Sequence, residues 1–268
     1  MHSGGRDKGA FAPGGEGSLL PKWKTPPPAD GRSDYTVRMA NDAGDVRKAQ
    51  ALRFEVFNLE LHEGLQASYE TRLDSDAFDP VCDHLIVEER HTGNVVGTYR
   101  LQTGMSAVRN LGYYSALEFD FAPFEQERGR MVELGRACVD RNHRNMTVLQ
   151  LLWKGIAGYA RSSHARYLIG CSSLTSQDPR DGADAYRQMQ PHLAEPGWRT
   201  VPLAPCACPC EAKSDNPVKI PKLLLAYLSL GAKICGPPAL DREFKTIDFL
   251  TLLDIEALPR KAIAKYLS

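Results

Sequence analysis

Met131-Val-Glu-Leu-Gly-Arg-Ala-Cys-Val139 is followed by Asp140-Arg-Asn-His-Arg-Asn145, then by Met146-Thr-Val-Leu-Gln-Leu-Leu-Trp-Lys-Gly-Ile-Ala-Gly-Tyr159. The first piece has strand length and is mostly apolar, interrupted by Glu133, Gly135 and Arg136. The last piece repeats Val148, Leu152, Ile156 and Tyr159 at spacings of three and four, the period of an amphipathic helix. The polar turn between them ends in Asn145, a residue type that caps helix N-termini. Strand, polar turn, helix is the predicted unit. Free N–H groups and the dipole at such a helix start favour an anion, a phosphate above all.

Within the strand, Glu133 and Arg136 are three apart, so strict alternation sends them to opposite faces. A bulge at Gly135 would bring them to the same face, since strand glycines often mark bulges. Spacing alone favours a surface Glu and a surface Arg that never meet.

Composition narrows the class. Of 268 residues, 43% are hydrophobic and 25% charged, an ordinary globular balance. Basic and acidic residues number 33 each, so no global charge excess marks a nucleic-acid binder. No apolar run approaches the roughly 20 residues that span a bilayer. The start, Met1-His-Ser-Gly-Gly5, lacks the apolar core of a signal peptide. Seven cysteines, an odd number placed mostly in apolar segments, argue against a disulfide framework. These features predict a cytoplasmic protein, with peripheral contact at the inner membrane face left open.

Upstream of the central unit, Gly and Pro make up 12 of residues 1–31, which predicts a disordered tail over 1–33. Tyr35 to Met39 reads as a strand. Asn41 or Asp42 then caps a helix with Val46, Ala49, Leu52, Val56 and Leu59 on one side. Arg53 and Phe57 share a face of that helix, as an arginine covering a core phenylalanine or as part of a site. Residues 60–82 lose periodicity and gather Asp74, Asp76 and Asp79, without clustered histidine to suggest a metal site. His84–Glu89 and Asn94–Gln102 read as a hairpin turning at His91-Thr-Gly-Asn94. Arg100 lies in its second strand, where it needs solvent or an acid. Gly104 to Ser115 reads as a loop.

Downstream, Arg166 to Cys171 reads as a buried strand. The stretch 173–216 is polar and proline-containing, an insert with a short helix near Ala183 to Met189. It carries Cys206, Cys208 and Cys210, whose alternate spacing does not match the paired Cys-x₂₋₄-Cys of zinc sites; no metal is expected. Pro221 opens a helix over Lys222 to Leu230 that Gly231 closes. Ile247 to Ile255 is an apolar final strand, and 259–268 a basic helix able to touch anionic lipid. Strands alternating with helices around a central hairpin give a mixed α/β sheet, in one domain over 34–258.

The segments Arg53-Phe-Glu-Val-Phe57, Asp76-Ala-Phe-Asp-Pro-Val-Cys-Asp-His84, Gly97-Thr-Tyr-Arg-Leu101 and Glu133-Leu-Gly-Arg-Ala-Cys-Val139 resemble the ornithine N-acyltransferases that make lyso-ornithine lipid. Tyr227-Leu-Ser-Leu-Gly-Ala-Lys-Ile-Cys-Gly-Pro-Pro-Ala-Leu-Asp241 and Phe244-Lys-Thr-Ile-Asp-Phe249 continue the likeness, which covers about Tyr35 to Ile255. The resemblance implies a GNAT fold and a 3-hydroxyacyl donor carried on acyl carrier protein. It also implies transfer to the α-amino group of L-ornithine, and no resident cofactor, since the carrier's acyl-phosphopantetheine is a substrate. The same pattern resembles the acyl-homoserine-lactone synthases, a sister group. In both, Arg53, Phe57, Asp76, Asp79, Arg100, Glu133 and Arg136 fall on positions of the shared pattern.

GNAT enzymes that use coenzyme A usually carry a glycine-rich loop before the central helix, and Arg141-Asn-His-Arg-Asn145 has no glycine. That suits a carrier-protein donor. Arg141 and Arg144 are then candidates for its single phosphate or its acidic surface, with Asn145 beside them. Amide formation from a thioester needs an unprotonated amine, an oriented carbonyl and a route for one proton. Glu133 is the expected base, oriented by Arg100 or Arg136, with bulge N–H groups polarising the carbonyl. An acyl-enzyme on Cys138 is the alternative, disfavoured because a thiol in an apolar run is a poor nucleophile. Asp76, Asp79 and Asp83 are candidates for holding a cationic amino acid. The rival readings are acylation of lysine or glycine, lactone synthesis from S-adenosylmethionine, and a membrane-perturbing protein as the family's hemolysin label suggests.

Overall fold

The computed structural model describes residues 34–210 and 217–258. The expected tail 1–33 and C-terminal helix 259–268 lie outside the described residues. An eight-stranded sheet runs through the chain: β1 (Tyr35–Met39), β2 (Asp83–Glu89), β3 (Val95–Thr103), β4 (Met131–Val139), β5 (Tyr167–Leu174), β6 (Lys233–Ile234), β7 (Ala239–Asp241) and β8 (Thr246–Asp254). Its order is β1-β2-β3-β4-β5-β8-β6, with β7 also on β8. The helices are α1 (Ala43–Arg53), α2 (Ser68–Thr71), α3 (Gly104–Arg109), α4 (Met146–Ser162), α5 (Pro179–Gln188) and α6 (Lys222–Ser229).

The central unit forms as its periodicity requires. β4 ends at Val139, a short turn covers Arg141–His143, and the Asn145 side chain accepts the Val148 N–H at 3.0 Å to start α4. The α4 stripe Val148, Leu152, Ile156 and Tyr159 is buried against Val132, Leu85, Leu101 and Leu168 of the sheet. Burying each such aliphatic side chain stabilises the fold by roughly 1.5–3 kcal/mol. The other face packs α1 through Ala49 and Leu52 against Ile86, Val95 and Cys138.

All neighbouring strands are antiparallel except β4 and β5, which run parallel. That pair holds register for only three positions, ending at Glu133 opposite Ile169. At the fork Gly170 is indispensable, because a Cβ there would sit 2.1 Å from the Leu134 carbonyl oxygen. Beyond the fork the two strands part, opening the sheet.

The bulge that the spacing did not favour is present, with its special residue one position past Gly135. On β3, Thr98 pairs with Cys138 and Arg100 with Gly135, so β4 carries an extra residue. The positive φ belongs to Arg136, at 50°. Gly104 to Ser115 is not a plain loop. α3 occupies its first half, with the Thr103 hydroxyl accepting the Ser106 N–H at 3.0 Å. In the expected insert, β5 runs on to Leu174 and α5 begins at Pro179, earlier than read, because Asp178 caps it. The short strands β6 and β7 went unread, being two and three residues long. Cys206 packs with one apolar cluster and Cys208 with another, so the alternating cysteines diverge.

Candidate active site

The parted strands frame a cavity of about 830 Å³ that crosses the sheet. Alternation along β4 and β5 gives its two sides different chemistry. On the α4 side it is apolar, lined by Leu149, Leu152, Trp153, Leu168, Tyr227 and Leu253. On the other side it is polar, lined by Glu133, Arg136, Arg100, Gln102, Glu63 and Asp248. Arg144 and Met146, both exposed at the start of α4, belong to the lining and mark an opening to solvent.

Glu133 stands at the fork and is buried. Its Oε2 accepts from Gln102 Nε2 at 2.6 Å and the Tyr114 N–H at 2.9 Å, and its Oε1 from the Ser115 N–H at 2.8 Å. A carboxylate offers about four acceptor positions. Three are taken by the protein, and one on Oε1 is left at the cavity. Arg100 and Arg136 do not orient it, contrary to the sequence expectation.

Both arginines are engaged in a closed network instead. Arg100 Nη1 meets Asp76 Oδ1 at 2.6 Å and Asp79 Oδ1 at 3.0 Å. Arg136 lies 2.9 Å from Asp76 and 3.3 Å from Asp74. Arg53, with no exposed side-chain surface, pairs with Asp74 at 2.7 Å and Asp79 at 2.6 Å. Three arginines therefore neutralise three aspartates in the interior. Burial pushes the Asp79 carboxyl up, but Arg53 and Arg100 outweigh it and hold it well below the carboxylate range. Asp76 is lowered the same way, by Arg100 and Arg136 against burial.

This arrangement departs from the expected substrate contacts. Asp76 and Asp79 already meet two arginines each, which leaves little charge for a substrate amine. Asp83 lies away from the cavity, accepting the Tyr159 hydroxyl at 2.7 Å, and burial raises its carboxyl. Arg53 does not line the cavity, whereas Phe57 does, edge-on to Phe244 at 5.3 Å between ring centres. A π-helical segment, Phe54–Glu60, continues α1 between these roles.

The expected donor-binding residues lie at the opening. Arg144 pairs with both oxygens of Glu60, at 2.6 and 2.8 Å. Arg141 is exposed on the turn before α4 and does not line the cavity, while Asn145 caps that helix and does. Cys138 lines the cavity but is buried, and burial pushes its thiol far up. Gln102, Tyr114 and Ser115 were missed. Gln102 alone had a signal, standing two residues from Arg100 on the same strand face.

A family model described as an acetyltransferase (GNAT) domain matches residues 52–154. The chain is 32% identical over 248 residues to the L-ornithine N(alpha)-acyltransferase of Rhodobacter capsulatus, covering 85% of this chain and 92% of that protein. To the protein of that name from Brucella abortus it is 34% identical over 250 residues, covering 86% and 88%.

The chain belongs to the L-ornithine N(alpha)-acyltransferase family.

As a member of that family it is an N-acyltransferase. The solved structure of the AHL synthase LasI aligns with a TM-score of 0.51 at 13% identity, covering 88% of this chain and 97% of that one. FeeM, an N-acyl amino acid synthase from uncultured soil microbes, aligns at 0.50 and 12% identity, covering 84% and 93%. Such distant likenesses establish the fold, and they agree with the GNAT-type mixed sheet expected from the sequence.

Proposed function

We propose that this protein transfers a 3-hydroxyacyl group from acyl carrier protein to the α-amino group of L-ornithine, forming lyso-ornithine lipid. The observation that carries this reading is the cavity itself. It joins an apolar side suited to a fatty chain with a carboxylate-bearing side suited to an amino acid, and Glu133 stands where they meet.

In this mechanism the acyl chain lies along Leu149, Leu152, Trp153 and Tyr227. The thioester carbonyl sits at the fork and is polarised by N–H groups of the bulge. The α-amine attacks the carbonyl carbon, forming the C–N bond. The tetrahedral centre collapses with loss of the C–S bond, and the pantetheine sulfur leaves as thiol. The amine proton passes to the remaining position on Glu133 Oε1, directly or through one water, and from there to the leaving sulfur, which restores the carboxylate. Arg100 and Arg136 keep the wall rigid and hold Asp76 in place. Arg144, at the opening, and Arg141, exposed on the turn before α4, meet the phosphate or the acidic surface of the carrier. A carrier-protein donor places the reaction in the cytoplasm. Among the described residues no helix is long and apolar enough to cross a membrane.

Mass spectrometry of products from purified protein tests the proposal, using 3-hydroxyacyl carrier protein or 3-hydroxyacyl-coenzyme A with a panel of amino acids. An ornithine-linked monoacyl amide, formed faster from the carrier, is the expected result. A lysine or glycine amide, a lactone, or faster use of coenzyme A would overturn the corresponding part.

A further inference from the structure

The polar side of the cavity ends in carboxylates that have no basic partner among the described residues. Asp248, on β8, lines the cavity opposite Ser173 of β5 and is only 4% exposed. Among the described residues its Oδ1 has no hydrogen-bond partner. Glu118, equally buried, stands behind it, and its Oε2 is also unpartnered. The Cys171 thiol and these two carboxylates lie within 4.8 Å of one another. From the facing wall comes Glu63, likewise 4% exposed, whose carboxylate accepts from the Thr175 hydroxyl.

The fold places Glu63 there deliberately. Its N–H donates to the Phe57 carbonyl at 2.8 Å, and the next N–H, of Gly64, to the Phe244 carbonyl at 3.0 Å. Gly64 has a φ of 80°, and a Cβ on it would strike the Asn58 side chain. The turn is therefore specific to glycine and fixes the glutamate before it.

Asp74, Asp76 and Asp79 are neutralised by arginines. Glu118 and Asp248 instead stand together, Glu63 shares the cavity lining with Asp248, and burial raises all three carboxyls. With no basic partner such buried acids keep protons, Glu118 holding one beside Asp248, and a cation that reaches them would take the protons' place as the neutralising charge. A continuous wall leads to these acids from the reaction centre. Ser115, which donates its N–H to Glu133, lines the cavity together with Cys171, whose thiol lies beside Asp248.

We infer that Asp248 and Glu63, backed by Glu118, form the seat for the side-chain ammonium of a diamino acid acceptor. The α-amine of that acceptor then lies toward Glu133. This assignment rests on the proposed amino-acid acylation and supplies its selectivity for a basic acceptor. Asp76, Asp79 and Asp83 are relieved of that role.

The test compares ornithine with norvaline, which has the same chain without the terminal amine. The ratio of kcat/KM for ornithine to that for norvaline is measured in the wild type, Asp248→Asn and Glu63→Gln. Losing one charged contact to an ammonium predicts a roughly 10- to 100-fold fall in that ratio for each variant, carried mainly by KM for ornithine. Glu63→Gln, on the opposite wall, reads the same quantity if Asp248→Asn does not fold. Unchanged ratios in folded variants of an active enzyme would overturn the inference while leaving acylation intact. A wild type that acylates neither amino acid would overturn the underlying function instead. Equilibrium dialysis with zinc supplies a further arm. Stoichiometric zinc that ornithine does not displace, lost in Asp248→Asn, would reassign the group as a metal site.

Discussion

The Glu133 carboxylate receives the Ser115 backbone N–H at 2.8 Å, so a loop 18 residues upstream holds the residue at the strand fork. Together with Tyr114 and Gln102 it fixes both carboxylate oxygens and leaves one position for a proton. Glu133→Gln preserves size but turns an acceptor into an NH₂ group facing N–H donors. Steady-state turnover of ornithine is expected to fall about 10²- to 10⁴-fold, with circular dichroism unchanged. Turnover near the wild-type rate would remove Glu133 as the base.

The Arg53–Asp79–Arg100 pairs are expected to serve stability more than substrate contact. Removing one partner of a buried ion pair costs about 3–5 kcal/mol, so Asp79→Asn should lower the melting temperature on the order of 10 °C. The pH dependence has a definite sign. Asp79 is held below its ordinary value of 3.8, so it contributes stability above that value that disappears as pH falls through its lowered native value. Thermal melts from pH 7 downward should therefore show the gap between wild type and Asp79→Asn closing in acid.

Cys138 offers a direct check on the covalent alternative. It borders the cavity, yet burial pushes its thiol up and no cation is paired with it. Cys138→Ala should retain turnover within about threefold. Intact-protein mass spectra taken during turnover should show no acyl adduct. An adduct lost in the variant would replace direct attack with a two-step route.

The sequence carried the parts of the fold that are local. β4, the Asn145 cap and α4 follow from period and capping, and the β2–β3 hairpin from its turn, so the mixed sheet was legible. The site was legible only in part, because its partnerships are long-range. Arg136 reaches Asp76 across 60 residues, and Glu63 reaches Thr175 across 112. How the loops that carry Glu63 and Asp74 to Asp79 fold back onto the sheet decides which acids meet arginines and which meet the cavity. Asp248 did leave a trace, as a lone acid inside an apolar strand, the same anomaly that drew attention to Arg100. Ser115 left none, since its role is played by a backbone N–H.

Chain-length selection follows from the apolar side. Leu149 lies on the first turn of α4 and lines the cavity near its opening, in company with Leu152 and Trp153. Leu149→Trp adds bulk where the proposed fatty chain passes, without removing any core side chain of the α4 stripe. Competition between short and long 3-hydroxyacyl carriers should shift toward the short ones, by about tenfold in kcat/KM ratio. An unchanged ratio would place the chain elsewhere in the cavity.

Seating the acceptor's side-chain ammonium at the carboxylate end would make its binding pH-dependent. Burial pushes the Glu63 carboxyl up to about 7 from an ordinary 4.5, opposed by the Thr175 hydroxyl and reinforced by Asp248. In the free protein this raised value means stability present below the ordinary carboxylate range and lost as pH rises through about 7. Ornithine acts in the opposite direction, because its ammonium favours the ionised carboxylates. The rise in melting temperature produced by saturating ornithine should thus be larger at pH 8 than at pH 6, and KM for ornithine should climb as pH falls through 7. Norvaline, lacking the second amine, should show neither trend. Parallel pH profiles for the two amino acids would detach Glu63 from acceptor recognition and return the effect to Glu133 or the donor.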